Sequence, residues 1–389
     1  MYQYTSLWDR AIRFTQELSM INSYEAAGKH AVIAYVEKLL RNETSAAVTI
    51  YDADTDEPFL IASLKPEGAV FKFLLEGHLD VVSPEGMEKP FDGIIEDGYL
   101  CGRGVSDMKG GAAAQLAAFM AAANDDGLKQ EIYLMFSTDE EYAGAEIKKA
   151  LTEGLLPKVD FTMIAEPTDK KLVIAHKGEA WAEVEFFGKS AHSSIPWEGQ
   201  NAIYMAARFI EKLRTRIQEI QEQANEYGTP TMSVGVVSGG SSPNVVPPYA
   251  KLRIDIRYLP GQDYRQYEAT LQEVLSDCQK EWPELKGSVK ITGNWNSLLT
   301  CPDEPVLKRV EKIIAASTGR PAEYTTLKGW GEGGYINMFG IPTVYYATAP
   351  IPISLMRGSR FSGSRWWRRP ITRFSGSSAF KRYRSDMNG

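Results

Sequence analysis

The chain has 389 residues, 43% of them apolar, and a formal charge of -7. That length exceeds what one hydrophobic core usually serves, so two folded units are expected. The acidic balance argues against nucleic acid or an anionic membrane as the main partner, because both demand a basic surface. Cys101, Cys278 and Cys301 lie far apart with no Cys-x-x-Cys pair, which excludes a disulfide framework or thiolate zinc site as the first reading and suits reduced thiols in the cytoplasm. No uncharged apolar run reaches membrane-spanning length and the first thirty residues carry no export pattern, so neither anchor nor export is expected.

In chain order, residues 6–42 predict two amphipathic helices, with Asn22-Ser23 as a cap for the second. Phe71 to Leu75 predicts a strand leading into His78 and Asp80. Residues 110–123, rich in alanine, predict a helix able to pack closely on a sheet. A strand from Ile132 to Phe136 leads into Glu140 and Glu141, a helix follows near 145–156, and a strand from Phe161 to Ala165 ends at Glu166. This alternation predicts a doubly wound, mostly parallel α/β sheet. From Gly178 the order becomes strand 180–187, helix 201–221, strands 232–237 and 252–258, helix 264–281 and strand 288–292. That is a ferredoxin-like α+β unit with its own mostly antiparallel sheet. Helix 306–317 and strand 341–346 then resume the first pattern. The expected division is one unit of residues 1–177 and 293–389, with a second unit inserted at 178–292.

In an open parallel sheet the crevice lies beyond the carboxyl ends of the strands, so three strands ending in acids and a histidine converge on one point. Asp107, flanked by glycines in Gly102-Arg103-Gly104-Val105-Ser106-Asp107-Met108-Lys109-Gly110-Gly111, adds a carboxylate between the first two. His78, Asp107, Glu141 and Glu166 are the candidate metal ligands. Imidazole and carboxylates suit zinc, with cobalt or manganese as substitutes. Asp80, two residues from His78 on an extended segment, faces the same way and can fix the imidazole tautomer. Of the neighbours Glu140 and Glu141, one can bind metal while the other takes a proton. Singly, each residue has a plain explanation, a satisfied histidine or a solvated acidic turn. Their joint placement at three strand ends points to a metal centre.

Gly77-His78-Leu79-Asp80-Val81-Val82, the Gly102 to Gly111 segment, Asp139-Glu140-Glu141 and Glu166-Pro167-Thr168 resemble the zinc-dependent aminoacylase and carboxypeptidase family, which includes acetylornithine deacetylase and succinyl-diaminopimelate desuccinylase. The similarity runs from about residue 8 to residue 346. It implies two zinc ions bridged by Asp107, with His78 and Glu166 completing one, Glu141 serving the other, and Glu140 as general base. It further implies a lid that forms a homodimer, His192 in Ala191-His192-Ser193 reaching the partner's site to steady an oxyanion, and Asn244 with Arg257 as a substrate-binding pair. A forked guanidinium grip on a carboxylate would select N-acyl amino acids or small peptides. Taken alone, His192 reads as an ordinary loop residue and Arg257 equally well as an exposed strand arginine.

The pattern breaks near the carboxyl end, where the family carries a last ligand histidine and this chain has none beyond residue 192. Ala347-Thr348-Ala349-Pro350 follows Tyr345-Tyr346 in place of the family's turn, and residues 347–389 hold nine Lys or Arg against the single acid Asp386. A shifted reading frame past Tyr346 accounts for this; other frames lacking a Gly-Pro-Gly turn and a histidine would refute it. As written, the second metal site should be weakened, which opens an alternative: a catalytically impaired dimeric family member acting as a binding protein. Gly329-Trp330-Gly331-Glu332-Gly333-Gly334 also departs from the family's Gly-Thr-Asp-like turn.

Overall fold

The computed structural model describes residues 4–96, 99–347 and 356–357. Apart from that last pair, the reading of the Arg-rich tail as a displaced frame lies outside the described residues. Helices α1 (Tyr4–Ser19) and α2 (Ala26–Glu43) precede a hairpin, β1 (Ala47–Tyr51) and β2 (Phe59–Leu64). The expected cap of α2 is corrected. Glu25 occupies the cap position without a side-chain bond, while Asn22 Oδ1 accepts the Tyr24 N–H at 3.3 Å and Ser23 Oγ donates to Leu79 O at 2.5 Å. Ser23 therefore ties the turn between the helices to the segment just past His78. Sequence reasoning passed over the hairpin because its short apolar run, buried almost throughout, has no alternation to mark it as a strand.

The α/β alternation follows: β3 (Lys72–His78), a small pair β4 (Ile94–Glu96) and β5 (Tyr99–Cys101), α3 (Gly110–Ala123), β6 (Glu131–Ser137), α4 (Ala145–Thr152), β7 (Phe161–Ile164) and β8 (Leu172–His176). Next come β9 (Gly178–Phe187), α5 (Ala202–Gln221), β10 (Thr231–Gly239), β11 (Tyr249–Tyr258), α6 (Tyr264–Glu281) and β12 (Lys286–Trp295). The chain returns through β13 (Leu298–Leu299), α7 (Pro305–Thr318), β14 (Tyr324–Leu327), α8 (Gly333–Met338) and β15 (Thr343–Tyr345), and β16 (Met356–Arg357) pairs with β5.

The large sheet runs β1-β2-β6-β3-β7-β15-β8-β13, with β14 beside β8. Its centre is parallel: β3 pairs with β6 and β7, and β7 with β15. Helices cover both faces, as a doubly wound sheet requires. Phe14, Leu18, Val36, Leu116 and Phe119 of α1, α2 and α3 pack on one side; Ile147, Ala150, Tyr335 and Ile336 of α4 and α8 pack on the other.

The second sheet, β10-β11-β9-β12, is antiparallel throughout and has ferredoxin-like order. Along β9, Ala180, Ala182, Val184 and Phe186 point into a core with Phe209 of α5 and Leu271 of α6, while Glu179, Glu183 and Glu185 alternate onto the opposite face. Asn201 caps α5, accepting the N–H groups of Ile203 and Tyr204, and Asp263 caps α6 through the Arg265 N–H. Among the described residues no helix is long and apolar enough to cross a membrane.

Candidate metal centre

Register brings the polar residues together. His78 lies opposite Ser137 across the β3–β6 ladder and Glu76 opposite Ile164 across β3–β7. Glu140, three residues past Ser137, and Glu166, two past Ile164, thus leave the sheet on either side of His78. Asp107 arrives from the turn before α3. Gly104 opens that turn at φ +79°, where a Cβ would lie 2.4 Å from Val81 Cγ1, so only glycine fits. Gly111 lets α3 close on the exit of β7, since a Cβ there would sit 2.0 Å from Ala165 O. Small residues at the helix start are what place Asp107 beside Glu166.

One ligand atom each from His78, Asp107 and Glu166 lie within 4.8 Å of one another. His78 Nε2 is 3.2 Å from Asp107 Oδ1, 3.1 Å from Glu166 Oε1 and 3.9 Å from Glu140 Oε2. On the ring's other side Nδ1 is 3.3 Å from Asp80 Oδ1 and 3.2 Å from Asp80 O. Asp80 also accepts the Glu141 N–H through Oδ2 at 3.1 Å, linking the exits of β3 and β6. The Glu141 carboxylate stands outside the group of three. His78 is fully buried, whereas the Asp107 side chain is 59% exposed, so the cluster opens to solvent on that flank.

The electrostatics ask for a cation. Burial alone would lower the His78 pKa, yet the carboxylates of Asp107, Asp80 and Glu166 hold it well above the ordinary imidazole value. Burial raises Glu166, with the charge of Asp107 adding and His78 opposing. Glu140 is driven well up, first by burial and then, against His78, by Glu166 and Glu141. Among the described residues no Lys or Arg forms an ion pair with Asp107, Glu140, Glu141 or Glu166. Oxygen donors and one imidazole from three chain segments, short of positive charge and open on one side, fit a catalytic divalent ion.

Three comparisons bear on this geometry. A family model described as a peptidase dimerisation domain, the M20 dimerisation domain, matches residues 174–283, which span most of the second sheet and its helices. The chain is 28% identical over 289 residues to acetylornithine deacetylase of Myxococcus xanthus, covering 73% of each chain. It is 30% identical over 271 residues to a probable succinyl-diaminopimelate desuccinylase of Staphylococcus aureus, covering 62% of this chain and 66% of that relative. The chain belongs to the M20 metallopeptidase and aminoacylase family. A tripeptidase from Staphylococcus aureus has the same M20 fold, with a TM-score of 0.71 at 22% identity over 87% of this chain and 89% of that one.

The remaining expected site residues sit on the second, ferredoxin-like domain. His192, in the loop between β9 and α5, is exposed; its Nδ1 lies 2.8 Å from Ser194 Oγ, and its backbone bridges to Val245. Asn244 O accepts the Ser193 N–H at 3.0 Å and its side chain hydrogen-bonds Ser242. His192 and Asn244 therefore share one loop cluster of the second domain, and among the described residues no hydrogen bond or ion pair joins either to the strand-end cluster. Arg257 is not a free fork. Its two terminal nitrogens each lie 2.7 Å from a Glu179 oxygen, and Nε donates to Asp255 at 3.0 Å. A substrate carboxylate reaching Arg257 must displace one of these partners.

Sequence reasoning missed three buried groups beneath this cluster. Glu76 and Glu332 are both buried, and Ser137 Oγ donates to Glu332 at 3.2 Å. Burial raises Glu76 to about 7, opposed by the neighbouring Glu332 and the charge of His78, while burial and the charge of Glu76 push Glu332 well up. An acid inside the apolar strand β3 was the available signal. The third is Lys109, fully buried, whose Nζ donates to Leu18 O at 3.0 Å and Ile21 O at 2.9 Å and so fastens the Asp107 turn to the end of α1. Lys109→Met should remove both bonds, leaving Leu18 O with only the Ile21 N–H and Ile21 O with only the Ser23 N–H, and cost about 0.5–1.5 kcal/mol for each bond lost. Urea unfolding would read this, and a midpoint equal to that of the wild type would refute it.

Proposed function

We propose that this chain is a metal-dependent amide hydrolase acting on N-acyl amino acids or small peptides, with His78, Asp107 and Glu166 as metal ligands, Glu141 on a second ion and Glu140 as general base. The observation that carries the reading is the meeting of His78, Asp107 and Glu166 at strand ends with Glu140 Oε2 only 3.9 Å from His78 Nε2. A divalent ion held there, zinc first and cobalt or manganese as substitutes, would polarise the scissile carbonyl and acidify a water. Asp80, on Nδ1, leaves Nε2 of His78 facing the donors. Glu140, its affinity for a proton raised by burial, takes one from the attacking water and returns it to the departing amine. The open Asp107 flank admits the substrate.

Pairing through the lid would make a cytoplasmic homodimer in which His192 serves the partner's site and Asn244 and Arg257 hold the substrate. The match to a dimerisation domain supports this, as does β10, an edge strand of its sheet with Val236 and Val237 exposed, since an unpaired apolar edge invites another strand.

The test is bound metal per chain measured beside hydrolysis of a panel of N-acyl amino acids and dipeptides with added zinc or cobalt. Metal with turnover supports the reading; a chain that takes up no metal sinks it. Metal without turnover favours the second reading, an impaired member acting as a binding protein. One observation favours that alternative: every histidine lies at or before residue 192, so Glu141 has no imidazole partner for a second ion.

Metal uptake should also depend on pH. Burial raises Glu141 to about 7, with His78 opposing and Asp107, Asp80 and Glu166 adding. A carboxyl raised on folding favours the folded state at low pH, and that contribution is lost as pH climbs from its ordinary range through about 7. Metal-free protein should therefore lose stability over that interval, while metal affinity rises because fewer protons compete. Calorimetry in buffers of different ionisation enthalpy would read the protons released. Affinity that is flat from pH 5.5 to 8 would contradict the expectation.

A further inference from the structure

We propose that Trp295 is a positioning residue that holds the loop carrying Glu140 and Glu141 through its indole N–H. This rests on the reading of Glu140 as the base but concerns a residue outside the metal centre.

Trp295 ends β12, the last strand of the lid sheet, opposite Glu179 of β9. A register shift between Ile291 and Gly293 precedes it, and its six-membered ring folds over Gly293, where a Cβ would lie 2.6 Å from Cη2. Tyr258 Oη donates to Trp295 O at 2.8 Å, clamping the backbone from β11. With the strand end pinned, the indole reaches out of the lid, and Nε1 donates to Ala143 O at 3.1 Å, across 152 residues of sequence.

Ala143 lies three residues past Glu140 in a turn wound on one atom. The N–H groups of Tyr142, Ala143 and Gly144 all point to Asp139 O, at 3.2, 2.9 and 3.0 Å. Asp139 also accepts the Ala145 N–H at 2.6 Å, joining the turn to the start of α4. Glu140 and Glu141 therefore ride on a rigid turn, and its orientation is set by what grips it from outside. Asp80 holds it at the Glu141 N–H; Trp295 holds it at the Ala143 carbonyl. The far side of the turn is packed by Trp330, since a Cβ on Gly144 would lie 2.7 Å from its Cη2. Trp181, Trp295, Trp330 and Tyr335 form an edge-to-face series at 4.9, 6.4 and 5.5 Å between centroids, running from the lid strand β9 to α8. Aromatic packing fixes the indole plane, and the N–H gives it direction.

The test uses the full-length, metal-loaded protein and Trp295→Phe, which keeps the ring contacts and removes the donor. Hydrogen–deuterium exchange in the segment 139–146 should rise about 5-fold, the weight of one hydrogen bond, while α7 exchanges as in the wild type and metal content is unchanged. On a substrate from the panel, kcat should fall by about 5-fold with KM within about 2-fold, because the base is displaced while binding groups are not. Trp181→Phe, which disturbs the aromatic series but not the bond to Ala143, should leave loop exchange unaltered. The proposal is overturned if Trp295→Phe leaves loop exchange at the wild-type level, if exchange rises equally across the protein, or if Trp181→Phe loosens the loop as much. Should the wild type cleave nothing in the panel, the hydrolase reading fails, and the exchange data alone still decide whether Trp295 holds this loop.

Discussion

Glu140→Gln is expected to lower kcat by about 10²–10⁴-fold, the range for loss of a positioned general base, with metal content and KM near the wild-type values. The amide is nearly isosteric with the acid and carries no charge. Glu140 is partly buried in a field that already raises its proton affinity, so glutamine removes a costly charge rather than a structural contact, and the fold should hold or gain slightly. The side chain is 15% exposed, near the opening on the Asp107 flank, which places it within reach of water and substrate. The decisive comparison is turnover against bound metal. A variant that keeps its metal and more than about a tenth of wild-type kcat would remove Glu140 from the role of base. A variant that loses metal would make it a ligand instead.

His78→Ala is expected to have the larger effect on the metal. Disturbing a residue that merely orients a ligand costs about 10–100-fold in affinity, so deleting the imidazole at the centre of three carboxylates should cost at least about 100-fold. A second consequence follows from burial. Asp80 is fully buried, and its carboxyl is held low chiefly by His78 against the effect of burial. Without the ring that charge is stranded, and uncompensated buried charges cost about 3–5 kcal/mol. Both metal-free and metal-loaded protein should then unfold at lower denaturant concentration, which separates this variant from Glu140→Gln. Equilibrium dialysis with zinc, together with urea unfolding, would measure the two effects. Undiminished zinc binding would show that the ion sits elsewhere.

The residues differ in how readily the linear chain betrays them. His78, Glu140 and Glu166 were legible because each follows an apolar run, and strands of that kind in an α/β alternation end on the same edge of a parallel sheet. Asp107 was legible from its glycines, which have no purpose in a helix start unless the backbone turns sharply or packs closely. The second, ferredoxin-like unit was legible for another reason: alternation along β9 and β11 and 3.6-residue spacing in α5 and α6 are periods, and periods are written locally. The buried hairpin β2 escaped because a wholly apolar strand has no period.

What the linear chain determined, then, is the kind and order of the elements and the chemistry waiting at their ends, since both depend on neighbours a few residues away. The tertiary structure decided the partners. Glu332 meets Ser137 across 195 residues, Lys109 meets Leu18 across 91, and Trp295 meets Ala143 across 152. Arg257 is engaged by Glu179 on a neighbouring strand rather than left open. Such choices belong to close packing and to the cost of leaving a buried polar group alone, and neither quantity exists until the chain has folded.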